Sequence, residues 1–62
     1  MRVEIDYFER GRSVATDHLN ASFEEAKDMA TRALEARVVD RVEVRDEFGT
    51  VLFQRPRALR RA

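Results

Sequence analysis

The sequence predicts an α+β domain: a single ββαββ unit with a four-stranded antiparallel sheet, order 2-1-3-4, and one helix packed on one face. Three observations predict it. Apolar and polar residues alternate in four short runs, the period of half-buried strands. The only two glycines, Gly11 and Gly49, each punctuate a pair of such runs, as hairpin turns require. Between the hairpins one segment repeats its apolar residues at helical spacing.

In the first run, Val3, Ile5 and Tyr7 share one face, and Arg2, Glu4 and Asp6 share the other. A two-residue Arg10-Gly11 turn brings the chain back through Ser13 to Leu19. That turn predicts Tyr7 opposite Val14, Ile5 opposite Thr16 and Val3 opposite His18, with Val14 and Thr16 inward. His18 is then expected partly buried at the sheet edge.

Ser22-Phe23-Glu24-Glu25 has the pattern of a capping box, with acids at the positive end of the helix dipole. Phe23, Ala26, Met29, Ala30, Ala33 and Leu34 form one stripe, and three alanines in it bring the helix axis close to a sheet. Val38 to Asp46 alternates again, with Val42 and Val44 inward. Glu47-Phe48-Gly49-Thr50 is the second turn, and the last strand has Val51 and Phe53 inward. Pro56 lacks the N–H of a ladder, so that strand ends near Arg55.

A helix returning the chain makes strands 2 and 3 parallel to each other, and strand 1 between them makes every neighbour antiparallel. Glu4 then lies opposite Arg45, unlike charges facing each other. One helix covers one face. The other face is charged, with Phe8, Ala15 and Leu52 as its apolar members.

The stretch from Ser22 to Phe53 resembles a class of small uncharacterised bacterial ββαββ proteins of domain-of-unknown-function type. The matching pieces are Ser22-Phe23-Glu24-Glu25-Ala26 and Val42-Glu43-Val44-Arg45-Asp46-Glu47-Phe48-Gly49-Thr50-Val51-Leu52. The resemblance covers about half the chain. It implies the fold and brings no catalytic residues.

Composition narrows the function. The 62 residues hold no cysteine and one histidine, so disulfides, thiolate metal sites and histidine-based metal sites within one chain are excluded. No cofactor, catalytic residue or small-molecule site is indicated, because one helix on one sheet offers little concave surface for a pocket. No apolar run spans a membrane and the N-terminus is charged at alternate positions, so a cytoplasmic protein is expected. A core of this size supplies only about 3–5 kcal/mol, and oligomerisation is the staple left open. The expectation is a non-enzymatic protein-binding module, acting as a homodimer or with another protein. The contact is expected through the second strand or through the uncovered face at Phe8, Ala15 and Leu52.

Net charge is zero, but unevenly spread. Residues 55–62 carry Arg55, Arg57, Arg60 and Arg61 and no acid, while residues 1–54 hold eight bases against twelve acids. The folded domain is therefore read as 1–54 and residues 55–62 as a flexible arginine-rich tail. That tail supports an alternative, nucleic-acid binding through phosphate contacts.

Overall fold

The computed structural model describes residues 1–56. The chain forms β1 (Arg2–Glu9), β2 (Arg12–Asn20), α1 (Phe23–Glu35), β3 (Arg41–Asp46) and β4 (Val51–Arg55). The strands make one antiparallel sheet in the order β2-β1-β3-β4. This is the predicted α+β architecture, with Glu4 opposite Arg45 as expected.

The core lies between the sheet and the helix. Ile5, Val42 and Val44 are fully enclosed, joined by Val3, Phe53, Ala26 and Ala30. Tyr7, Leu19, Phe23, Ala33, Leu34 and Val39 pack around them. Both enclosed helix residues are alanines, so the helix backbone sits close to the strands. The rings of Phe23 and Phe53 close one end edge to face, with centroids 6.4 Å apart.

Both ends of the helix are capped. The backbone N–H of Glu25 donates to Ser22 Oγ at 3.1 Å, and the N–H of Ser22 donates to Glu25 Oε1 at 3.2 Å. At the far end, Arg37 takes φ 57°, its N–H donates to the Leu34 carbonyl, and that of Val38 donates to Ala33. This is a Schellman ending, with arginine in the left-handed position usually given to glycine. It consumes Arg37 and Val38, and Val39 and Asp40 complete the connection, so β3 begins at Arg41 rather than at Val38.

The helix lies over β3 and β1 and leaves β2 largely uncovered. Met29, expected in the buried stripe, is 40% exposed. Lys27 reaches over Phe53 of β4 at 5.8 Å from the ring centroid, which turns the opposite flank, with Met29, toward β2. That flank finds too little underneath it to be buried.

The first hairpin departs from the predicted register. Arg10 (φ 53°) and Gly11 (φ 80°) do form the two-residue turn, with Glu9 opposite Arg12 and Phe8 opposite Ser13. A bulge then inserts Val14 as an extra residue. Beyond it Tyr7 faces Ala15, Ile5 faces Asp17 and Val3 faces Leu19, one residue on from the predicted partners. A one-residue shift exchanges faces. Ala15, Asp17 and Leu19 therefore share the helix side with Tyr7, Ile5 and Val3, while Thr16 and His18 turn to the other face. Val14 is exposed rather than inward.

The observed register is the one that satisfies the polar groups. Tyr7 OH donates to Asp17 Oδ2 at 2.9 Å, and Thr16 Oγ1 donates to Asp6 Oδ1 at 2.8 Å. The turn itself is held from the helix–β3 connection: Arg10 N–H donates to Asp40 Oδ2, and Asp40 N–H donates to the Phe8 carbonyl.

The second turn is organised by Asp46, whose Oδ1 accepts from the N–H groups of Phe48 and Thr50, with Gly49 at φ 84°. A second bulge follows between Val44 and Arg45, so Val51 faces Arg45 and is 40% exposed instead of inward.

Candidate interaction surface

The face away from the helix is built from alternate residues of all four strands. β1 contributes Arg2, Glu4, Asp6 and Phe8, and β3 contributes Arg41, Glu43 and Arg45. Directly across β1–β3, Asp6 faces Glu43, a like-charge pair that is unfavourable alone. Arg45 resolves it. Its Nη2 lies 2.7 Å from Glu43 Oε1 and its Nε lies 3.4 Å from Asp6 Oδ2. That Nε is shielded from solvent, and its contact with Asp6 is an ion pair without hydrogen-bond alignment. Arg41 holds the other oxygen of Glu43 at 2.9 Å.

Glu43 is only 7% exposed, although no helix among the described residues covers this face. The arginine stems provide the cover. Burial works against its charge, but hydrogen bonds from Arg45 and Arg41 outweigh it and hold its carboxyl below the ordinary range. Glu4 is moved the other way. Its proximity to the Asp6 carboxyl, with which its protonated form hydrogen-bonds, together with burial, raises it, against the attraction of His18 and Arg45. On the helix side, burial and the hydrogen bond to Asp17 push the Tyr7 phenol up to about 12.

The predicted contact residues do not form one patch. Phe8 is on the charged face, with the Arg41 guanidinium 5.8 Å from its ring centroid. Leu52 is exposed in β4, at the far edge from β2. Ala15 is on the opposite face, carried there by the Val14 bulge. His18 is not partly buried: its side chain is 77% exposed, with Nδ1 3.8 Å from Glu4 Oε1. Arg55 is the last residue of β4, and its guanidinium stacks 4.3 Å from the Phe53 ring centroid. Arg57, Arg60 and Arg61 lie outside the described residues.

Sequence reasoning missed the Arg41–Glu43–Arg45 lattice, although its signal was present: cation, anion and cation at every second residue of a strand. A groove of about 650 Å³ adjoins it, lined by Arg2, Glu4, His18, Asn20, Arg45 and Glu47 among others. Its charges are mixed in sign. Among the described residues, no group of three or more His, Cys, Asp or Glu side chains is placed to hold a metal ion, and no helix is long and apolar enough to cross a membrane.

What stands most open is β2. It is a nine-residue edge strand whose only sheet neighbour among the described residues is β1, and most of its residues are exposed. It carries no lysine and no proline; its edge protection is the Val14 bulge near the turn and the inward-facing Asp17. Comparison of the chain with family models, curated proteins and solved structures finds no match.

Proposed function

We propose that this protein is a small, non-enzymatic protein-interaction module of the cytoplasm that acts as a homodimer. The observation that carries this reading is the long edge of β2, which has neither lysine nor proline and is regular beyond the Val14 bulge, lying largely beyond the reach of the helix. The charged face favours β2 over itself as the contact, since its central carboxylates are already paired within the chain. A chain this short gains most from a second copy, because its own core is small. Sedimentation equilibrium over a dilution series tests the reading. Self-association that strengthens with concentration supports it, and a monomer with undiminished stability at every concentration overturns it.

The uneven charge supports a second reading, nucleic-acid binding through the arginine-rich C-terminal segment. Binding titrations at two salt concentrations, with and without Arg57, Arg60 and Arg61 changed to Gln, test it. Binding that ignores salt, or survives the three changes, counts against it.

A further inference from the structure

The free edge of β2 has a definite hydrogen-bonding phase. In an antiparallel pair, alternate residues exchange both backbone bonds with the neighbour, and those between direct theirs outward. The Ala21 N–H donates to the Met1 carbonyl at 2.9 Å, which fixes the phase. With Val3 opposite Leu19 and Ile5 opposite Asp17, the residues bonded to β1 are Asp17, Leu19 and Ala21. Thr16, His18 and Asn20 therefore present their N–H and C=O groups to the open edge. Toward the turn the bulge at Val14 breaks this regular spacing. The edge thus offers three consecutive outward residues, placed evenly about His18.

We propose that two copies join edge to edge through these residues, β2 antiparallel to β2 about a twofold axis at His18, and that protonation of His18 loosens the pair. This inference rests on the homodimer reading above and gives it a register. Centring on His18 pairs Thr16 with the partner's Asn20 and His18 with the partner's His18. All three outward residues are then used, for about six backbone hydrogen bonds. Asp17 falls opposite the partner's Leu19. Centring instead on Asp17 would set Asp17 against the partner's Asp17 and leave Asn20 against the bulge. Like charges directly opposite are unfavourable, so that register loses on both counts. Centring on Thr16 runs the partner's His18 against Val14, where the ladder is interrupted. Only the His18-centred register uses all three outward residues of both strands, and this self-complementarity commits the edge to a second copy of this chain.

That register makes the contact sensitive to acid. Residues in a hydrogen-bonded pair have Cα atoms about 5.5 Å apart, so the two imidazoles are neighbours on the charged face. Two imidazolium groups so placed repel each other across the axis. The charged groups around His18 are Glu4 at 3.8 Å, with Arg45 behind it and Arg2 and Asp6 to either side; the Met1 ammonium donates to the neighbouring Asn20 Oδ1 at 3.1 Å, and Glu47 lines the same groove. From β2 itself its face neighbours are Thr16 and Asn20, both uncharged. The helix lies on the other face and contributes none. Glu4 is the nearest anion, and its carboxylate is also drawn to Arg45, so it only partly offsets the charge of an imidazolium pair.

Sedimentation of the full chain at about pH 8 and about pH 5, with circular dichroism as the folding control, tests this. The expected result is a dimer whose dissociation constant rises about tenfold at the lower pH. His18→Gln remains dimeric and loses the pH dependence. His18→Lys can keep an ion pair with Glu4, but it sets two ammonium groups across the axis, so its dissociation constant is raised about tenfold at both pH values. Thr16→Pro removes an outward N–H and spares the backbone ladder to β1, though it also removes the Thr16–Asp6 side-chain bond; with folding verified by circular dichroism, it is monomeric. A wild-type dimer whose affinity neither His18→Lys nor a folded Thr16→Pro lowers overturns this interface while the homodimer reading stands. A wild-type monomer at both pH values overturns both.

Discussion

Arg45 is the cation on which the uncovered face depends, and Arg45→Met isolates its contribution. Methionine keeps the bulk of the stem and removes the guanidinium. Glu43, 7% exposed, then keeps one partner, Arg41 at 2.9 Å, and faces Asp6 across the β1–β3 ladder with no cation between them. Removing one member of a buried ion pair costs about 3–5 kcal/mol. Arg45 is 36% exposed and Arg41 remains, so about half of that, near ~2 kcal/mol, is expected. In a domain of this size that lowers Tm by roughly 8–16 °C.

The sign of the pH dependence follows from Glu43. Its carboxyl is held below the ordinary range, so its pairing stabilises the fold above the ordinary carboxylate pKa and is lost as pH falls through the lowered one. The gap between wild type and Arg45→Met should therefore be full at neutral pH and narrow below about pH 4. Replacing Glu43 by Leu in the Arg45→Met background removes the stranded charge and should recover most of the loss. Urea unfolding followed by circular dichroism, at one fixed protein concentration, measures all three chains. A single variant within about 0.5 kcal/mol of wild type at neutral pH, or a gap that does not narrow in acid, refutes the reasoning.

Other parts of the fold are testable in the same way. Ala30→Leu forces a larger side chain between the helix and the sheet at a fully enclosed position, and should cost about 1–3 kcal/mol in urea unfolding. Arg37→Gly relieves a left-handed residue at the helix end and should raise stability by about 1 kcal/mol, read as a higher urea midpoint with unchanged slope. The Tyr7 phenol should ionise only near pH 12 in a spectrophotometric titration, with its share of stability intact below about pH 10 and lost as pH rises through the folded value; Tyr7→Phe should remove that alkaline loss.

The elements were legible in the sequence because each carried its own local chemistry. Ser22 and Glu25 announce the helix start, Gly11 and Gly49 the turns, and the apolar alternation of Val3, Ile5, Val42 and Val44 the buried faces. The strand order followed from the need to make every neighbour antiparallel. The register of β2 did not follow, because nothing local to Val14 marks it as the extra residue. The bulge is decided by partners on other residues, Tyr7 with Asp17 and Thr16 with Asp6. That single residue moved Ala15 off the face where it was expected with Phe8 and Leu52, and turned His18 outward. Met29 was misplaced for a related reason: the period of a helix gives the width of its apolar stripe but not where over the sheet the helix comes to rest.

The central position of β1 has a consequence for how the molecule is made. Its first neighbour, β2, follows at once in the chain, but its second, β3, arrives only after the helix. A ribosome releasing this protein delivers the middle strand first and its last partner more than thirty residues later. Until then β1 has an unsatisfied inner edge, and Ile5 has no Val44 beside it. Closing that long gap is the step that loop-closure entropy makes slow, while both hairpins are local and fast. The bond from Arg10 N–H to Asp40, which joins residues thirty apart, is the clasp that marks its completion.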